Sequence, residues 1–343
     1  MTSSSGGRVA PPTRRRVHVP RSVVVTAVAW VALSALALWL GGDELPFDRP
    51  SVAGQTVFAQ VLGGWLNLLA ALLLVGIALF MTRHRPPPDL AARVADRATA
   101  ARELGALLGY VVVVTALGHV LGRVIGEHPF GLHLPGSLYG ISNPPAADWV
   151  VAWCAFNLVA YAVVPYLVFR SRGYDHERLG LRSGDRAADL KLILVILVVE
   201  SALELTALGG PLFALPAADV VRVVPLSFLV NLVGTVLPIA VLIYGIMLPR
   251  FARLTGSVPA TAVLGGLAYA LIHVFDGWAL YTDLRTGVLT LCFLVLQYFG
   301  PGLIKAVLTQ RTGNTWVHVW GYHAIAPHAT VDAPQLVHLL HTH

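Results

Sequence analysis

Two stretches decide the fold: AYALIHVFDGW at residues 268–278 and WVHVWGYHAIAPH at residues 316–328. Each sets a histidine, His273 in the first and His323 in the second, in apolar sequence long enough to cross a bilayer. Titratable side chains are costly at membrane depth, so they persist mainly where they face a protein interior or take part in chemistry. The surrounding sequence is therefore predicted to be a scaffold that holds these groups in lipid.

The composition also points to lipid rather than water. Of the 343 residues, 56% are hydrophobic and 12% are charged, and the mean hydropathy is +0.70. A soluble domain has about 25% charged residues. Nine windows of the sequence, each of about 20 residues, are apolar enough to span a bilayer. These windows predict an all-α fold, a polytopic transmembrane helical bundle of eight to nine spans.

The predicted organisation has three parts. Residues 1–21 form a disordered, basic tail, and residues 22–104 form a two-span extension with a loop. Residues 105–343 form the membrane core. A short interfacial helix is expected at 91–103. The predicted spans are 22–41, 56–81, 105–126, 149–169, 188–209, 223–248, 259–281, 287–308 and 315–340.

The distribution of charge predicts an orientation. The net charge of +6 does not indicate nucleic acid as a partner, because the basic residues lie in short loops on alternate sides of the spans. With the amino terminus inside, 20 Lys and Arg lie at inner positions and 4 at outer ones, as the positive-inside rule requires. Only two of the 24 basic residues are lysine, which is typical of a GC-rich bacterial genome. The expected location is a bacterial inner (plasma) membrane, with a cytoplasmic amino terminus and the lipid bilayer as a partner.

Four of the predicted spans place titratable groups at middle or outer-middle depth. Glu200 and Glu204 are four residues apart and share one helix face, so they cannot both be ionised there without a proton, a histidine or an arginine beside them. His273 and Asp276 are three apart, and the carboxylate can orient the imidazole. His318, His323 and His328 are spaced by five, which in an α-helix directs them differently. Neither HExxH nor CxxC occurs, so the sequence assigns no cofactor and leaves a metal open.

A family resemblance covers more than half the chain. The segments IYGIMLPRFARLTGSVPATAVLGGLAYALIHV and FGPGLIKAVLTQRTGNTWVHVWGYHA resemble the core of the CPBP intramembrane proteases, the CAAX-processing and bacteriocin-processing (Abi) type, with the closest match over 151–328. The resemblance implies a glutamate and histidines that activate water against a peptide bond. It also implies a peptide or membrane-protein substrate.

The chain departs from the motifs of that family. FxxxH becomes Tyr269–His273, and the final HxxxN or HxxxD keeps His323 but has Pro327 at its last position, followed by His328. The first motif, EExxxR, is absent: Ile239 and Ala240 replace its glutamates, and Tyr244 replaces its arginine. Glu200 or Glu204 is then the expected source of the carboxylate.

Three functions compete on this evidence. The first is a divergent intramembrane hydrolase with Glu200, Glu204, His273 and His323 as catalytic residues. The second is a catalytically inactive scaffold, immunity or partner-binding protein of the same fold. The third is a carrier of protons or small molecules, since buried Glu and His also mark relays in transporters.

Overall fold

The structure is a computed structural model that describes residues 19–41, 45, 54–135, 143 and 145–339. Within these residues every regular element is a helix. The all-α prediction is confirmed for this part of the chain. The predicted tail lies outside the described residues except for its last three positions, 19–21.

Eight main helices precede an irregular carboxyl-terminal segment, 315–339. They are α1 (Arg21–Gly41), α2 (Val57–Met81), α3 (Arg97–Ile125), α4 (Ala147–Ser171), α5 (Arg186–Leu208), α6 (Ala217–Thr255), α7 (Val258–Leu271) and α8 (Leu284–Thr312). Single helical turns lie at Ala91–Arg93 and Gly210–Phe213. Both α4 and α6 contain π-helical turns.

Six of these helices, all except α5 and α7, are long and apolar enough to cross a membrane. Their outer faces expose large apolar side chains, such as Val112 of α3 at 68% and Val151 of α4 at 69% exposure. Contiguous apolar surface of this kind is typical of a lipid-facing wall. The chain is therefore a multi-pass membrane protein, although the predicted eight to nine spans are not confirmed by six helices.

Polar caps fix where several helices begin. Asp96 caps α3 by accepting a hydrogen bond from the backbone N–H of Thr99 at 2.7 Å, which lowers the pKa of the Asp96 carboxyl and satisfies an amide that the helix leaves free. The helix then runs unbroken from 97 to 125. The expected interfacial helix over 91–103 is therefore wrong, because residues 97–103 are the first two turns of α3.

A buried ion pair joins α3 to α6. The Arg250 guanidinium is 0% exposed; its Nη2 donates to Glu103 Oε2 at 2.8 Å, and its Nη1 donates to the Ile246 carbonyl at 2.5 Å. The hydroxyl of Tyr174 also donates to Glu103, at 2.9 Å from Oε2, and the guanidinium lies 4.4 Å from the Phe169 ring centroid. The pair is fully hydrogen-bonded, as buried charges must be.

The helix ends meet in two separate groups. Asp189 at the start of α5 pairs with Arg85 at 2.5 Å and accepts from Asn314 Nδ2 at 2.9 Å, so the ends of α2, α5 and α8 lie together. At the other end of the bundle, Arg285 Nε donates to the Leu40 carbonyl at 2.7 Å. Successive main helices therefore run in opposite directions between these two ends.

The predicted seventh span, 259–281, is interrupted. Helix α7 ends at Leu271, and residues 272–282 turn back before Asp283 caps α8. At about 1.5 Å per residue, the 14 residues of α7 extend about 21 Å, which is less than the hydrocarbon core of a bilayer, about 30 Å. His273 and Asp276 lie on this turn rather than on a helix face.

A second non-helical segment, the inserted loop of residues 128–135, packs against that turn. Its residues from 130 to 135 are buried, and the Gly131 carbonyl accepts hydrogen bonds from Trp153 Nε1 at 2.6 Å and Asn157 Nδ2 at 3.0 Å. Irregular backbone is tolerated at membrane depth only where protein satisfies it in this way. A Cβ on Gly131 would come within 2.5 Å of the Phe275 oxygen, so the contact requires glycine.

Candidate functional site

Three buried histidines form a row along the carboxyl-terminal segment. His318, His323 and His328 are five residues apart, and their ring centroids are separated by 6.4 Å and 5.4 Å. The backbone is π-helical over Val319–His323 and Ala326–Val331. In a π-helix, hydrogen bonds join residues five apart, so such residues share a face. The expectation that these histidines point in different directions is wrong, because it assumed α-helical geometry.

Asp276 is the centre of a second group, the Asp276 cluster, with His133, His273 and Tyr298. Its carboxylate lies 3.2 Å from His133 Nδ1 and 3.3 Å from His273 Nδ1. It also accepts from the Tyr298 hydroxyl at 2.7 Å and from the backbone N–H of His133 at 3.3 Å. The inserted loop, the 272–282 turn and α8 thus meet at one carboxylate. None of the four side chains is more than 5% exposed as a residue.

The histidine row and the Asp276 cluster touch each other. The His328 ring lies 6.0 Å from that of His133. Tyr269 lies between the other two histidines, with its ring 4.7 Å from that of His273 and 5.8 Å from that of His323. His328 is held in turn by Asp332, whose Oδ2 is 2.7 Å from its Nδ1. The structure therefore brings the predicted residues His273 and His323 together across one aromatic ring.

The predicted glutamates form a third group with a lysine. Glu200 and Glu204 share a hydrogen bond, and both interact electrostatically with Lys305 of α8. Lys305 is 1% exposed, and its Nζ lies 3.6 Å from the Tyr269 ring centroid and 5.5 Å from that of Tyr322. The two glutamates thus share a proton, one of the alternatives expected from the sequence, and the cation beside them is a lysine rather than a histidine or an arginine.

Lys305 also corrects the count of inner charges. The sequence pattern assigned it to the inner end of the eighth span, but α8 continues to Thr312. Seven residues at about 1.5 Å each place it about 10 Å inside the helix end. Without Lys305, 19 basic residues remain at inner positions and 4 at outer positions, so the charge bias persists.

Several polar atoms of the site have no hydrogen-bond partner among the residues that the structure describes. They are Nε2 of His273, His318 and His328, both ring nitrogens of His323, and Oε2 of Glu204. Leaving a buried polar atom unpaired costs about 1–3 kcal/mol, and such atoms are rare in native proteins. Their concentration in one buried region is typical of a site that binds water, an ion or a polar group of a substrate.

Sequence reasoning found the four proposed catalytic residues, together with Asp276, His318 and His328, but it missed other members of this region. It had no means to place His133, which comes from a loop rich in glycine and proline, or Tyr298, which reads as an ordinary apolar-helix residue. Asp332 carried a usable signal, since it lies four residues after His328. His119, in contrast, lies apart from the site, with its ring 4.5 Å from that of Phe275.

One subset of the site has the composition of a metal centre. His133, His273 and Asp276 each offer a donor atom, and these atoms lie within 4.8 Å of one another. Among the described residues, no other group of three or more His, Cys, Asp or Glu side chains has its donor atoms this close together.

Comparisons with known proteins add no assignment to this geometry. The chain matches no family model, no curated protein and no solved structure.

Proposed function

We propose that the protein is a membrane-embedded hydrolase that cleaves peptide bonds in or near the bilayer with buried glutamate and histidine residues. One observation carries the proposal: His273, His323 and the Glu200–Glu204 pair lie around Tyr269 and Lys305, and several of their polar atoms are unpaired. A scaffold has no need of unpaired polar atoms in its interior, whereas a hydrolase uses them to bind water and the scissile carbonyl.

Each group has a role that its surroundings support. Glu204 keeps one carboxylate oxygen unpaired and acts as the general base toward water, while Lys305 stabilises its charge. His273 orients the water or protonates the leaving group, and His323 supports the oxygen on which negative charge develops. General acid–base catalysis contributes about 10²–10⁴ in rate, and charge stabilisation in a dry site adds to it.

The proposal includes a place among the divergent CPBP-type proteases. In support, the two histidines of the resemblance, His273 and His323, are buried at one site. Tyr244, at the position of the absent arginine, packs its ring 4.5 Å from that of His318 and donates to the Gly302 carbonyl at 3.1 Å. In this proposal the catalytic carboxylate is that of Glu204 in α5, whereas the glutamates of the family motif would lie in α6.

The test compares membranes that contain the wild-type chain with membranes that contain the Glu200→Gln, Glu204→Gln double variant. Labelling of protein termini followed by mass spectrometry detects new peptide ends without knowledge of the substrate. We expect new termini with the wild type and a decrease of about 10²–10⁴ in their rate of appearance with the variant, the share that acid–base catalysis supplies.

The competing functions give other outcomes in the same experiment. Equal sets of termini in both membranes and in membranes without the chain would reject hydrolysis. Flux of protons into vesicles that contain the wild-type chain, without new termini, would establish the carrier instead. The single variant Glu127→Gln, at an exposed position outside the site, is the matched control and should behave as the wild type.

We also propose that the chain crosses the inner membrane of a bacterium eight to nine times, with its amino terminus in the cytoplasm. In support, α5 has 23 residues, which is long enough to span a bilayer, and it is absent from the six spanning helices because of its charged residues, which include Glu200 and Glu204. The segment 315–339 adds a further apolar stretch. The excess of 19 inner over 4 outer basic residues gives the orientation.

Reporter fusions test this orientation. We expect a fluorescent protein fused after Gly184 to be active and alkaline phosphatase fused there to be inactive, because phosphatase folds only outside the cytoplasm. Fusions after Thr282, at the other end of the bundle, should show the reverse. Phosphatase activity at Gly184 would contradict the proposed orientation.

A further inference from the structure

We propose that His133, His273 and Asp276 bind one divalent transition-metal ion, with Zn²⁺ as the best match and the Tyr298 hydroxyl at a fourth position. Two neutral imidazoles and a carboxylate suit such ions, and oxygen-preferring Mg²⁺ or Ca²⁺ is a poor match to the two nitrogens. This centre stands on its own geometry as a binding site and does not rest on the proposed hydrolase function.

The spacing of the donor atoms fits a tetrahedral ion. Bonds of about 2.0–2.1 Å to nitrogen and oxygen place neighbouring tetrahedral ligands about 3.3–3.4 Å apart. Asp276 oxygens lie 3.2 Å from His133 Nδ1 and 3.3 Å from His273 Nδ1, and the Tyr298 oxygen lies 3.2 Å from His133 Nδ1. The Tyr298 oxygen lies 2.7 Å from Asp276 Oδ2, so this pair must separate by about 0.6 Å when the ion binds. An ion can therefore replace the protons held in these hydrogen bonds, as metal binding generally does.

The groups behind the donors hold them in position. The backbone N–H of His133 donates to Asp276 Oδ1 at 3.3 Å, and Trp278 Nε1 donates to the Tyr298 hydroxyl at 3.4 Å. Hydrogen bonds of this kind fix the orientation of metal ligands and tune the ion they hold.

The inserted loop is built to deliver His133. Besides the two bonds to Gly131, Thr235 Oγ1 donates to the Leu132 carbonyl at 2.5 Å, so the residues on the amino side of His133 are anchored to α4 and α6. Holding irregular backbone inside a membrane bundle requires many compensating bonds. These hydrogen bonds hold His133, at 5% exposure, against Asp276, which comes from a distant part of the chain. A purely structural contact could be made by an apolar residue at far lower cost.

The binding test uses Co²⁺, whose visible absorption reports coordination geometry. The full chain is purified in detergent without a histidine tag, with the terminal residues His338, His341 and His343 replaced by Gln to remove adventitious binding. After treatment with a chelator it is titrated with CoCl₂. We expect one ion per chain with the intense absorption of four-coordinate cobalt, and loss of that absorption when ZnCl₂ is added.

Variants decide whether the proposed ligands hold the ion. His133→Asn and Asp276→Asn should each weaken Co²⁺ binding by at least about 100-fold, since even the partners of ligands contribute 10–100-fold. His119→Asn, an imidazole outside the cluster, should bind as the wild type. Because a loop variant can fail to fold, the thermal midpoint is also compared: Zn²⁺ should raise it in the wild type and not in Tyr298→Phe with Asp276→Asn.

Two results would overturn the proposal: no cobalt spectrum in the wild type, or an unchanged spectrum in both ligand variants. The spectrum does not depend on turnover, so failure of the hydrolase proposal leaves it interpretable. Conversely, new peptide termini that persist after chelation, with no cobalt bound, would reject the metal and leave the hydrolase standing.

Discussion

His273→Ala is expected to lower the appearance of new peptide termini by about 10²–10⁴, the contribution of a general acid or base. The imidazole is fully buried, its Nδ1 lies 3.3 Å from Asp276, and its Nε2 is unpaired. The Nε2 atom is therefore available to water or substrate in the site. His133, whose ring centroid lies 4.3 Å away, is held through its own Nδ1 by Asp276 and Tyr298. The measurement is terminal labelling of membranes that hold equal amounts of wild type and variant.

Abundance and folding must be matched in this comparison. Size-exclusion elution and thermal midpoint in detergent establish that the variant is folded. His119→Ala provides the control, because it removes a half-buried imidazole that packs on Phe275 and not on His273 or Asp276. Wild-type rates from a folded His273→Ala protein would show that the histidine is structural.

Arg250→Met is expected to lower the free energy of unfolding by about 3–5 kcal/mol, because it leaves the Glu103 carboxylate buried without its cation. The guanidinium makes its contacts to Glu103 and the Ile246 carbonyl at 0% exposure, so water cannot replace it. The measurement is unfolding in mixed detergent micelles with increasing denaturing detergent.

The double variant Arg250→Met, Glu103→Met is the informative control. Removing both charges removes the unpaired carboxylate, so the double variant should recover most of the lost stability. A double variant as unstable as the sum of the two single variants would mean that packing against Phe169, rather than charge, explains the effect.

The coarse fold could be predicted from the sequence because hydropathy reports it directly. In lipid, a run of about 20 apolar residues forms a helix, because only a helix hydrogen-bonds the backbone N–H and C=O groups of a single segment internally. The helices α1, α2 and α4 accordingly lie close to their predicted bounds. The proposed orientation rests on a local feature as well, the positions of the arginines in the loops.

The site was only partly predictable, because its residues meet through backbone that has no hydropathy signature. His273 was found, but the break of α7 at Leu271 was not, since the sequence through 281 remains apolar. His323 and His328 were found as residues and misplaced in direction, because no simple periodicity announces a π-helix. His133 could not be found at all, since a buried loop and a surface loop share the same glycine and proline content.

Lys305 shows how a charge count can mislead at a buried position. A lone lysine seven residues from a helix end reads as an interfacial residue, because lysines there usually extend to water. Its partners, Glu200 and Glu204, lie more than 100 positions earlier in the chain, and only the packing of α5 near α8 brings them together. Pairing distant charges of this kind requires tertiary structure.

The claim that the buried site performs hydrolysis is tested most directly with heavy-oxygen water. Membranes containing the wild-type chain, or the His273→Ala, His323→Ala double variant, are incubated in that solvent, and the carboxyl ends of new peptides are analysed by mass spectrometry. Hydrolysis places one solvent oxygen in each new carboxylate. We expect labelled carboxyl termini with the wild type and none above background with the double variant. Equal labelling from both proteins, or none from the wild type, would contradict the account.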